Sequence, residues 1–174
     1  MPESSASLLA AWHDFFALIG TAAATLIGAM FVVMSIGIGI LTRDRSVAIR
    51  TFLTATVIHL STVLFGCALT MVPLDAHWLA AIGGIAGVAG IAYRGRVIYG
   101  FNQHTGTDLS DWFWYAILPL IGYAVLVASA WLGLRDTVAG VDLFAAVLTF
   151  LLIAGIRNAW DMLVFLVTQS RGPT

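Results

Sequence analysis

The chain has 174 residues, 60% of them hydrophobic and only 10% charged, with a formal net charge of −1. That composition excludes an ordinary soluble domain, which is nearer half apolar and a quarter charged. The charge leaves no basic surface to invite nucleic acid.

Mean hydropathy is +0.97, and the excess is gathered into long runs, the pattern of transmembrane helices. All eight cationic residues are Arg, a bias that hints at a GC-rich bacterial genome. Cys67 is the one cysteine, so no intrachain disulfide and no multi-cysteine metal or redox motif is available. The N-terminus, MPESSASLLAAWHDFF, has no positive n-region and carries Glu3 and Asp14. It does not read as a cleaved signal peptide.

Five spans are expected: about 15–41, 47–72, 78–93 (with Ile98 as an outer limit), 112–134 and 141–168. Together they make an all-α integral membrane helical bundle, a single transmembrane domain over residues 1–174. Most of the five clear the ~20 residues a bilayer needs. The third is short and Gly-rich. Orientation follows from the arginines. Arg43, Arg45, Arg50, Arg94, Arg96 and Arg171 fall on one side and Arg135 on the other. By the positive-inside rule the N-terminus is outside and the C-terminus cytoplasmic. Acids lean outward: Glu3, Asp14, Asp75, Asp136 and Asp142. The implied home is the bacterial inner membrane, crossed several times. The longest linker, 94–111, offers Asp108, Ser110 and Asp111 as N-caps for the fourth span.

Helical plotting separates small and polar residues from bulky ones. In the first span Thr21, Thr25, Gly28, Val32, Ser35 and Gly39 form a stripe, with Gly20, Ala24 and Gly28 as a small-xxx-small series beside it. In the third, Gly83, Gly87 and Gly90 align, with Gly84 adjacent. Such series let helix backbones approach closely. In the second span Thr51, Ala55, His59, Thr62, Gly66 and Thr70 share an arc. Leu53, Val57, Leu60, Leu64 and Met71 share the opposite one, expected to face lipid. Pro119, seven residues into the fourth span, predicts a kink and a freed carbonyl near Tyr115.

The fifth span holds the chain's main anomaly, GIRNAWD at 155–161. A charge at bilayer depth costs several kcal/mol and marks a bundle interior or a watery cavity. Ala146, Phe150, Ala154, Arg157, Asp161 and Thr168 share a stripe, flanked by Asn158, with Leu148, Leu152 and Leu163 opposite. His59 and Arg157 both lie eleven residues in from the cytoplasmic end, about 16 Å along a helix. One polar layer is therefore expected to hold His59, Arg157, Asn158 and Asp161, with Thr54 or Thr56 near Asp161. Two readings of it stand side by side. Arg157 and Asp161 at i,i+4 can neutralise each other as a structural pair. Alternatively the layer lines a pathway, with Arg157 as anion contact, Asp161 as cation or proton site and His59 as a titratable relay.

Other chemistries find less support. No HExxH, GxSxG or Walker loop is present, so an enzyme is not expected. No cofactor is expected either: His59 is the only deep histidine, too few for bis-His haem ligation within one chain. His13, Asp14, Asp75 and His77 gather at the outer interface and form a candidate metal set, although helix capping and headgroup contacts explain them as well. The pieces GTAAATLIGAMFVVMS, VIHLSTVLFG and GIRNAWDM resemble a family of small polytopic bacterial membrane proteins to which no activity attaches. The expectation is an oligomeric channel or small transporter for an ion or small solute, a homo-oligomer because five short spans enclose little. An accessory or scaffold subunit of a larger membrane complex is the alternative, and a metal-binding membrane protein with an outer-face site the second.

Overall fold

A computed structural model describes residues 5–37, 43–101, 114 and 117–170. Among these the chain is entirely helical: α1 Ser5–Ala11, α2 His13–Gly37, α3 Arg43–Met71, α4 Ala76–Phe101, α5 Leu118–Gly133 and α6 Val138–Ser170. Four stretches are long and apolar enough to cross a membrane: His13–Ser35, Thr54–Met71, Ala76–Arg96 and Val138–Asp161. Of the fourth expected span, residues 112, 113, 115 and 116 lie outside the described residues. Its helix, α5, has 16 residues, about 24 Å of rise against a hydrocarbon core of roughly 30 Å.

Helix α6 is the axis. Helices α1, α2, α3 and α5 all pack on it, α2 also packs on α3, and α4 lies against α5. The consecutive helices α3 and α4 touch little. Phe16, Leu60, Val63, Tyr123, Leu126, Leu148 and Leu151 fill the core. Between apolar helices in lipid there is no hydrophobic sorting, so close packing decides what faces inward. The glycines of α4 show this. A Cβ on Gly84 would meet Ala130, one on Gly87 would meet Val127, and one on Gly90 would meet the Tyr123 ring, so α5 lies directly against the Gly stripe. On α2, Gly20 abuts Cys67, but Gly28 faces open space. Thr21, Thr25 and Ser35 point outward from α2 and bond the carbonyls of Ala17, Thr21 and Phe31.

The two described turns lie at one end of the bundle, where His77, beside the α3–α4 turn, sits 3.6 Å from Asp136 in the α5–α6 turn. Asp136 has φ 54, a left-handed conformation that Asp tolerates better than most residues. Thr137 Oγ1 donates to the Leu132 carbonyl at 2.8 Å and closes the end of α5. A Cβ on Gly140 would fall 2.6 Å from the Gly133 nitrogen, so this tight hairpin needs glycine there.

Several expectations are corrected. Helix α4 continues through Arg94 and Arg96 to Phe101, so the linker does not begin at Arg94, and Arg94 leaves the positive-inside count. Pro119 falls in the first turn of the α-helix that starts at Leu118, directly after π-helical backbone at Trp114 and Ile117. The carbonyl near Tyr115 and the caps Asp108, Ser110 and Asp111 lie outside the described residues. Leu60, expected toward lipid, is fully buried, and the outward face of α3 is Thr54, Ser61, Phe65 and Ala68. Leu148 and Leu152, expected opposite the inward stripe of α6, are core residues, while Ile153, Ile156 and Trp160 face out.

Candidate functional site

The buried polar centre is assembled from three helices. Helix α3 presents His59 and Thr62, α4 presents Arg94, and α5 presents Tyr123. His59 is 1% exposed, Arg94 2% and Tyr123 0%. Gly83, Gly87, Gly90 and Arg94 follow one another at three- and four-residue spacing, so Arg94 continues the face that packs on α5. Gly90 admits the Tyr123 ring, and one turn later Arg94 passes that ring to reach His59.

The donor inventory orders the bonds. A guanidinium only donates, so Arg94 Nη2, 2.5 Å from His59 Nε2, donates to it. His59 is thereby a neutral imidazole with its proton on Nδ1, which donates to Tyr123 Oη at 2.9 Å. Thr62 Oγ1 donates to the Ile58 carbonyl at 2.8 Å. It therefore accepts from the Tyr123 hydroxyl at 3.3 Å. The network is one directed chain from Arg94 to the backbone of α3.

Its charge is balanced by no ion pair among the described residues. The ion pairs among the described residues are His13–Asp14, His77–Asp136 and Arg157–Asp161, none of which involves Arg94. Arg94 Nε is buried without a hydrogen-bond partner among the described residues. A buried cation with neutral partners is costly, and the chemistry it suits is contact with an anion.

The residues expected to form one layer divide between two faces. A Cβ on Gly155 would lie 2.8 Å from Leu60 Cδ2 and 4.0 Å from His59 Cβ, so α3 and α6 meet there. Arg157, two residues on, is within about 3 Å of His59 in height. Its direction differs. Arg157 and Asp161 have side chains 48% and 35% exposed, with Nε and Oδ2 3.8 Å apart. The Arg157 guanidinium lies 3.8 Å from the Trp114 ring centroid, a cation–π contact. Asn158 and Thr56 are buried; Arg157 and Asp161 are on the bundle's outer surface, with Trp160 beside them.

The candidate metal set does not gather either. His13 Nδ1 is 3.3 Å from Asp14 Oδ1 on its own helix, His77 faces Asp136, and Asp75 is exposed. No group of three or more metal-capable side chains is found among the described residues. Arg94 was missed in the sequence because Tyr93–Arg94–Gly95–Arg96 reads as the end of a span. The Gly stripe running into Arg94 was the signal that places it inward. No protein family, curated protein or solved structure matches the chain.

Proposed function

We propose that this is an oligomeric membrane channel or small transporter for an ion or small solute, with its polar centre at His59, Arg94, Tyr123 and Thr62. The carrying observation is the buried Arg94 guanidinium of α4, bonded to neutral His59 of α3, which in turn bonds Tyr123 of α5. Packing alone is served by apolar side chains at lower cost. Intramembrane ionisable residues of this sort mark pathways and binding sites. Arg157 and Asp161 lie outside this centre, on the outer face of α6, where Arg157 stacks on Trp114. Self-association is supported by the outward small-residue face of α2, where Thr21, Ala24, Thr25 and Gly28 leave room for a second backbone. The arginine distribution favours a bacterial inner-membrane protein with its N-terminus outside, and α5 serves as a short fifth span.

Reconstitution into liposomes under a potassium chloride gradient, read with a potential-sensitive dye, tests this. Protein-dependent conductance that falls on His59→Leu is expected. The same signal from protein-free liposomes and from wild type contradicts the proposal.

A further inference from the structure

Resting on that reading, we propose that the centre takes a small monovalent anion, bound at the Nε edge of Arg94. Three observations carry it. Arg94 is 2% exposed, so its charge is not shared with bulk water. None of the ion pairs among the described residues includes it. Its Nε–H is a buried donor with no acceptor among the described residues, whereas Nη2 is committed to His59.

The neighbouring chemistry agrees. The His59 tautomer set by Arg94 turns its remaining N–H toward Tyr123, and the Tyr123 proton toward Thr62. Every described polar side chain of the centre is thus neutral apart from Arg94, and the described centre carries one positive charge. One small anion cancels it. A cation adds like charge to a site with no described carboxylate, and a divalent anion leaves an uncompensated negative charge in a low-dielectric interior. The Nε edge of a guanidinium donates in the plane that halides and carboxylates accept from.

The test separates binding from transport. In detergent, with chloride as the probe in a halide-free buffer, wild type is expected to give saturable chloride NMR line broadening that thiocyanate reverses. Arg94→Met is expected to lose the saturable part. Arg94→Lys, which keeps the charge but has no Nε–H, is expected to weaken binding about tenfold or more. Arg157→Met, on the outer face, is expected to bind as wild type does. Saturating chloride should also raise the wild-type Tm, because a ligand bound only to the folded state stabilises it. This second readout decides the matter if Arg94→Met does not fold. No saturable broadening by wild type, or full retention by Arg94→Met, overturns the anion site. Conductance in liposomes without chloride binding overturns the site and leaves the transport reading standing. Binding without conductance does the reverse.

Discussion

Gly90→Ala is the sharpest perturbation of the centre, since it replaces none of the polar residues. A Cβ at Gly90 would lie 2.6 Å from Tyr123 Cγ and nearer still to Cδ1 and Cε1. Ordinary carbon contacts are about 3.5–4.0 Å, so the ring must retreat by roughly 1 Å. Tyr123 is fully buried and its ring is rigid, so α5 has to move with it. A retreat of that size carries the 2.9 Å His59–Tyr123 contact beyond hydrogen-bond range. Overpacking costs about 1–3 kcal/mol, and a stranded buried donor costs a similar amount. Alanine's better helix propensity returns about 1 kcal/mol. The net expectation is a loss of about 1–5 kcal/mol, read from SDS or thermal unfolding of the purified protein. Gly95→Ala, in the same helix but facing open space, is expected to be neutral or stabilising. Tyr123→Ala, which empties the ring's place, is expected to make Gly90→Ala nearly free of further cost, a strong coupling in a double-mutant cycle. A Gly90→Ala protein as stable as wild type refutes the packing of α4 on Tyr123.

Three further outcomes are expected. His59→Leu strands Arg94 and should cost about 3–5 kcal/mol, more than Tyr123→Phe, which removes the neutral bonds to His59 and Thr62 and leaves the His59 donor unpaired at about 1–3 kcal/mol; unfolding midpoints measure the order. Gly155→Val should prise α3 from α6 at His59 and Leu60, and so cost more stability than Gly155→Ala, where only the mobile end of Leu60 must yield. Arg157 and Trp114 should couple by about 0.5–1 kcal/mol in a double-mutant cycle, with little effect on the centre's bonds.

Much of the helical layout was legible because long apolar runs allow little else. The facing of those helices was less so. In water, hydrophobicity tells inside from outside; in lipid both sides are apolar, so the rule that put Leu60 and Leu148 outward has no force. Size and shape replaced it. Gly155 faces inward because Leu60 needs its space, and Leu148 because it fills the gap beside Gly66. The heights along GIRNAWD were readable from helical rise, which places Arg157 near His59. Its direction was not, because a polar stripe on a membrane helix can face a neighbour, a cavity or the bundle's outer surface. Arg94 looked interfacial by its neighbours Tyr93, Gly95 and Arg96. Only its spacing from Gly90 set it on the inner face.

The most direct test of the centre is nitrogen NMR of His59 in the protein reconstituted in lipid. The expected spectrum has a protonated Nδ1 and an unprotonated Nε2, with a through-space contact from Nε2 to the Arg94 guanidinium. A proton on Nε2, or no contact with Arg94, contradicts the directed network on which the proposed anion site rests.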